Sequence, residues 1–324
     1  MKVVIIGGGI SGSACIEHIS RDKEGINVSL IEKEPFPFRK CLLSDWLAGK
    51  VSDTDFFVSF EELRKIFPGI EIINDKAVRV NFEKKKVFLK KGTPLSFDKL
   101  VLACGLKPKK LGIAGEYKEG VYYLGRVKPS GLKESIRMFN HIVVYGETLM
   151  SVDLSLKIRS ICNKEIKAII PEFNSFPSEY KDKIASIFRG KGIDFLPGEN
   201  ISEALGESRV RAVKMSSGKF LACDLLFLDT VLSPDTDIVK DTPALIRNSA
   251  IKVDETLRLG YDFCFSCGDM INSDVYFQKG FAGNRDLAFR QGAAAGSNLF
   301  EGREIFNFSR EGYSPEDLVN RILR

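Results

Sequence analysis

An α/β chain built from two parallel, doubly wound halves is the fold class this sequence predicts, and three observations predict it. A continuous apolar run, Val3 to Ile6, meets a glycine cluster, a helical stretch from about Gly12 to Ser20 and a second apolar run, Asn27 to Ile31. A run of the same kind, HIVVYG, begins at His141 and leads through a helical stretch into the strand KAIIPE. Late in the chain a strand, Tyr261 to Ser266, returns, and a helix follows from about Asn284 to Phe300. Short uninterrupted apolar runs mark strands covered on both faces, and strand–helix–strand order supplies the crossover that parallel pairing needs.

Length and composition agree with this reading. A chain of 324 residues suits two domains and can bury a core without disulfide staples. Hydrophobic residues make up 44% and charged residues 28%, an ordinary globular balance. The net charge of +5 is too small for an electrostatic case for nucleic acid. No apolar run reaches the roughly 18 residues of a membrane span, and no cleavage pattern follows the first apolar run, so a cytoplasmic protein is expected. Seven cysteines at irregular spacing argue against a disulfide framework, and two histidines argue against a histidine-rich metal centre. The lysine runs at 84–86 and 107–110 read as solvated turns.

Gly7, Gly9 and Gly12 form GxGxxG between the first strand and its helix. The first glycine permits the tight turn, the second lets a pyrophosphate reach the backbone, and the third lets helix and strand pack closely. The phosphate charge would sit on free N–H groups at the helix N-terminus. Glu32, twenty residues after Gly12 and at the end of the second strand, is placed to accept from ribose hydroxyls. A strand near Lys99 to Ala103 precedes Cys104 and Gly105, and Cys267-Gly268-Asp269 follows the strand YDFCFS ahead of the helical stretch AFRQGAAA.

In that order, these motifs resemble the flavoproteins with two dinucleotide-binding domains, the pyridine nucleotide-disulfide oxidoreductase superfamily. The resemblance implies two Rossmann-like domains in three layers, an FAD domain at 1–111 and 246–300 split around an inserted NAD(P)H-binding-like domain at 112–245. Asp269 is then the residue that accepts from the ribityl chain, and the helix after it points its N-terminus at the flavin. Ala103-Cys104-Gly105 matches a short family motif with cysteine in place of threonine. The same resemblance places Ser11, Lys33, Val78 and Gln291 at the cofactor. Residues 301–324 stand where larger relatives have an interface domain. They read as a short helix capped by Ser314, with Pro315, Glu316 and Asp317 in its first turn, which leaves the oligomeric state open.

The segment from Pro35 to Gly49 is similar to the flavin loop of NADH:rubredoxin reductases and of assimilatory nitrite reductases. That similarity makes Lys40 the basic residue near the isoalloxazine, with Ser44 and Trp46 following in register. Cys41 falls where NADH oxidases, NADH peroxidases and coenzyme A-disulfide reductases carry a redox cysteine, and Phe38, Cys41 and Gly49 meet their spacing. Two readings of Cys41 stand: a redox thiol activated by Arg39 and Lys40, or a small residue that packs. Cys264 and Cys267 lie three apart along a strand and face opposite sides, so neither a bridge nor a metal site is expected. Cys15, Cys104, Cys162 and Cys223 read as core.

The second glycine motif is damaged. Gly146 keeps the first glycine, but Thr148 and Ser151 replace the other two, and Glu147 adds a negative charge. Thr148 is expected to put a side chain where backbone meets pyrophosphate, and Ser151 to loosen the helix–strand contact. Asp153 stands where glutamate is usual. Val231 replaces a glycine that relatives keep beside the nicotinamide channel, and Asp235 replaces their asparagine. Glu172 falls near the expected ribose acid. The expected cofactors are FAD and, through this altered site, NAD(P)H. The expected function is an FAD-dependent oxidoreductase that passes electrons from NAD(P)H to a small electron-carrier protein, an oxygen species or a disulfide. The alternative is a flavin-bearing electron-transfer subunit fed by a partner protein, with the NAD(P)H site lost. A rubredoxin-like or ferredoxin-like protein or an enzyme subunit is the expected partner.

Overall fold

A computed structural model describes residues 1–19, 25–35, 37–126, 129–146, 148–175, 178–242, 245–247, 249–271, 285–300 and 304–306. The tail helix expected from Ser314 and the residue Glu147 lie outside the described residues. In chain order the parallel strands are β1 (Lys2–Ile6), β2 (Asn27–Ile31), β3 (Glu71–Ile73), β4 (Lys99–Leu102), β5 (Val121–Tyr123), β6 (His141–Gly146), β7 (Glu165–Ile170), β8 (Asp194–Pro197), β9 (Leu225–Asp229) and β10 (Cys264–Ser266). The helices that matter for the site are α1 (Ile10–His18), α2 (Leu43–Leu47), α3 (Leu149–Ile161) and α4 (Arg285–Asn298).

Two compact units share these elements. Among the described residues, the first holds 1–42, 52–106 and 233–306, and the second holds 43–51 and 107–232. The first unit contains a parallel sheet in the order β10-β4-β1-β2-β3. That is the order of a Rossmann sheet, whose switch point lies between β1 and β4. Val3, Ile5, Leu30, Leu100, Val101 and Phe265 are fully buried in it, as a sheet covered on both faces requires. Helices α1 and α4 cross closely. A Cβ on Gly292 would lie 2.1 Å from the Ser11 carbonyl oxygen, and one on Gly296 would lie 2.4 Å from that of Cys15. The small-residue run in α4 exists because the helix backbones nearly touch.

The second unit repeats the pattern with the order β8-β7-β6-β9-β5 and its switch point between β6 and β9. Val143, Tyr145, Ile169, Leu226 and Leu228 pack with Ile201, Ala204, Val213 and Met215 of a three-stranded antiparallel sheet. Residues 43–51 sit in sequence between stretches of the first unit yet group with the second. Lys157 of α3 donates to Asp45 of α2 at 2.6 Å, and the Lys133 ammonium lies 3.9 Å over the Trp46 ring.

Boundaries differ from the sequence expectation: the units divide at 42/43, 51/52, 106/107 and 232/233 rather than at 111/112 and 245/246, and the strand expected as KAIIPE is Glu165–Ile170. Helix α1 starts at Ile10, with Gly9 as N-cap, because the turn ends at the second glycine. The strand expected from Tyr261 covers only Cys264–Ser266, since the Cys264 N–H donates back to the Tyr261 carbonyl and makes a turn. No helix among the described residues is long and apolar enough to cross a membrane.

Candidate cofactor site at the first switch point

The site is built where β1 and β4 end side by side. Gly7 takes φ +103°, a backbone region that glycine alone enters easily, and a Cβ there would lie 2.3 Å from the Ala103 carbonyl oxygen. A Cβ on Gly12 would lie 1.9 Å from the Gly7 carbonyl oxygen. Gly9 is different: a Cβ would meet no atom within 4 Å. Two of the three glycines are therefore required by the fold itself, and the middle one faces open space at the N-terminus of α1. That helix has no side-chain cap, so its first-turn N–H groups are not satisfied by a side chain of the N-cap.

Glu32 directly follows β2, with its carboxylate buried against the same turn. Its Oε2 accepts from the Gly8 N–H at 2.6 Å and its Oε1 from the Glu34 N–H at 2.9 Å. Among the described residues two of the roughly four lone-pair positions of the carboxylate are used, and the others remain for hydroxyl donors. Lys33 forms an ion pair with Asp235 at 3.7 Å. Val78 is an exposed residue of the strand Ala77–Asn81.

At the end of β10, Gly268 takes φ +75° and has no room for a Cβ, which would lie 2.4 Å from the Ser11 hydroxyl. Its N–H donates to Oε1 of the buried Gln291 at 2.8 Å. Gln291 thus acts from α4 as a support for the turn that carries Asp269. The Asp269 side chain is half-buried and has no hydrogen-bond partner among the described residues. Burial lifts its carboxyl pKa to about 6, against an opposing pull from Lys40. Lys40 keeps exposed surface, yet loss of surrounding water lowers its pKa. Lys33 adds repulsion, while Glu32, Asp235 and Glu34 pull the other way. Cys104 donates its N–H to the Met270 sulfur at 2.9 Å, and Gly105 takes φ +68°.

These groups fit a dinucleotide cofactor such as FAD. The backbone is open where a pyrophosphate would approach, a carboxylate with acceptor positions unused by the described residues follows β2, and a carboxylate without a hydrogen-bond partner among the described residues follows β10.

Cys41 lies half-buried in the one-turn helix Lys40–Leu42. Arg39 precedes this helix. Its guanidinium donates to the carbonyls of Asp55 at 2.6 Å and Phe57 at 3.1 Å, pinning this loop to the following segment. Cys15, Cys223, Cys264 and Cys267 are buried and free, and burial raises the pKa of each. Cys104 is half-buried and packs against the core of the first unit, and Cys162 is half-buried. No metal-ligating cluster occurs among the described residues.

The described residues of the altered motif in the second unit are Gly146 and 148–151. Thr148 is the N-cap of α3, and its hydroxyl accepts from the Met150 N–H at 3.1 Å. Ser151 does not loosen the helix–strand contact. A Cβ on Gly146 would lie 1.9 Å from that of Ser151, so the bare glycine makes room for the serine and the contact stays close. Glu172 is exposed beyond the end of β7, and Val231 is also exposed.

Comparison with known proteins places this architecture. The family profile described as pyridine nucleotide-disulphide oxidoreductase matches residues 1–292. The assimilatory nitrate reductase electron transfer subunit of Bacillus subtilis is 20% identical over 284 residues, which cover 85% of this chain and 37% of that protein. An NADH oxidase of Enterococcus faecalis is 21% identical, over 93% of this chain and 71% of its own length. Among solved structures, an NAD-dependent persulfide reductase from A. fulgidus superposes with a TM-score of 0.81 at 22% identity, covering 94% of this chain and 60% of that one. The NADH-bound water-forming NADH oxidase of Lactobacillus brevis superposes at 0.82 with 23% identity, covering 94% of this chain and 71% of that one. At these identities the likeness shows the fold, and the chain spans less than two thirds of both the nitrate reductase subunit and the persulfide reductase. With the profile running through both sheets and all three separated motifs, the chain belongs to the pyridine nucleotide-disulphide oxidoreductase family.

Proposed function

We propose that the first unit is the FAD-binding domain and that the chain is an FAD-dependent oxidoreductase. It takes electrons from NAD(P)H and passes them to a small electron-carrier protein, an oxygen species or a disulfide. The observation that carries this reading is the contrast among the three glycines: Gly7 and Gly12 are closed in by backbone, while Gly9 opens onto space at the switch point. Gly9 and the α1 N-terminus receive the pyrophosphate, Glu32 takes the ribose hydroxyls, and Asp269 accepts from the ribityl chain. FAD supplies the redox chemistry when bound, and the protein supplies position and charge. Lys40 brings positive charge to the same region, and Cys41 beside it is the candidate thiol.

A second reading, a flavin subunit fed by a partner protein, is supported by the loss of two glycines at the α3 N-terminus. The Bacillus subtilis relative is named as an electron transfer subunit of assimilatory nitrate reductase. The two readings separate in one experiment. The purified protein is expected to carry one non-covalent FAD, and mixing with NADH or NADPH in a stopped-flow instrument follows flavin bleaching. Rapid bleaching supports the first reading. Bleaching by dithionite alone supports the second. A protein that holds FMN, or that cannot be reconstituted with FAD, refutes both.

A further inference from the structure

The second sheet carries a buried acid at its own switch point. In the first unit, Ile6 pairs with Leu102, so Gly7 and Ala103 follow side by side at the ends of β1 and β4. In the second unit the strands end in the same way, with Gly146 paired to Asp229. Asp229 therefore stands where the intact site has Ala103. It is 4% exposed. Its Oδ2 accepts from the Ser151 N–H at 3.0 Å and from the Thr148 hydroxyl at 2.7 Å. The Ser151 hydroxyl closes the arrangement by donating to the Thr148 carbonyl at 2.7 Å.

Two first-turn donors of α3 are thus engaged by the chain itself. The Met150 N–H goes to the Thr148 hydroxyl and the Ser151 N–H to the Asp229 carboxylate. In a Rossmann unit these are the groups that meet a dinucleotide's pyrophosphate. A carboxylate held there is favoured by the helix dipole and by charge-assisted hydrogen bonds. A second anion brought to the same place would meet like charge at close range, where water screens little.

We infer that Asp229 is an internal anion standing in for the pyrophosphate at the second dinucleotide site, so that NAD(P)H must compete with the protein's own carboxylate. This rests on reading the second unit as a dinucleotide-binding domain, and it favours the partner-fed form of the proposed function.

The test is equilibrium binding of ADP-ribose and of NADH, by calorimetry and fluorescence, to the full chain and to Asp229→Asn and Asp229→Ala. Wild type is expected to bind in the millimolar range or weaker. Asp229→Asn removes the charge while its amide oxygen still accepts from Ser151 and Thr148, so it keeps the fold testable if the alanine variant unfolds. It is expected to bind at least about tenfold more tightly. Micromolar binding by wild type, or a folded Asp229→Asn that binds no better, overturns the inference. FAD content read from the visible spectrum of the same samples reports separately on the first site, so its failure is not confused with that of Asp229.

Discussion

Gly9 and Gly12 belong to one motif, yet substitutions at them should fail in opposite ways. A Cβ at residue 12 would lie 1.9 Å from the Gly7 carbonyl oxygen and 3.0 Å from its carbon. Relief requires α1 to move off β1, and overpacking of this kind costs about 1–3 kcal/mol or more. At residue 9 the backbone is extended, φ −71° and ψ −163°, and no atom lies within 4 Å of a Cβ. Loss of the glycine N-cap preference there costs up to about 1 kcal/mol, and the reduced freedom of the unfolded chain returns about 0.4–1 kcal/mol. The net effect on the cofactor-free protein is close to zero. The loss appears only with FAD, because a ligand at about a thousand times its dissociation constant stabilises the fold by about 4 kcal/mol. Thermal unfolding of wild type, Gly9→Leu and Gly12→Ala, each with and without added FAD, makes the comparison. Wild type should rise with FAD, Gly9→Leu should start near the cofactor-free wild type and not rise, and Gly12→Ala should start lower. Stoichiometric FAD in Gly9→Leu would refute the assignment of the open space to the pyrophosphate.

Three further outcomes are expected. The Asp269 carboxyl titrates at about 6 in the fold, above its unfolded value of about 3.9, so the fold holds the proton more tightly. The cofactor-free protein should therefore lose stability as pH rises from about 4 through 6, and Asp269→Asn should flatten that part of a denaturation series; an unchanged slope refutes it. Iodoacetamide at neutral pH should label Cys41 and Cys162 before the buried Cys15, Cys223, Cys264 and Cys267, and mass spectrometry showing equal rates at Cys15 would contradict the burial argument. If Cys41 is the redox thiol, Cys41→Ser should abolish disulfide or peroxide turnover with FAD content unchanged; full activity, with the same reactive-thiol count in oxidised and reduced protein, assigns it to packing.

The parts of the site that could be read in advance are those encoded within a few residues. Gly7, Gly9 and Gly12 follow one strand, Glu32 follows the next, and Gly268-Asp269 follows a third, so the apolar strand runs locate each of them. The parts that could not be read depend on residues far apart in the chain. Gln291 supports Gly268 from α4, Met270 receives the Cys104 N–H, and Arg39 donates to the carbonyls of Asp55 and Phe57. The fit of Ser151 depends on the bare face of Gly146, which the spacing of the motif does not reveal. Asp229 had a faint signal, an acid closing the wholly apolar run Leu225 to Leu228, but only the strand register shows that it meets Gly146.

The grouping of residues 43–51 with the second unit changes what mutagenesis of that stretch can report. Asp45 and Trp46 follow Cys41 by only a few positions, and a substitution in either invites explanation by its neighbour. Their partners, however, are Lys157 and Lys133. Damage at Asp45 would strip Lys157 of its 2.6 Å partner and leave it with Asp153 at 3.9 Å. A fragment cut as one continuous piece from Lys107 to Leu232 would also lack α2, with its buried Leu43, Trp46 and Leu47. The second unit is therefore a discontinuous inheritance of the chain, and a scan that scores residues by distance along the sequence would credit the wrong half.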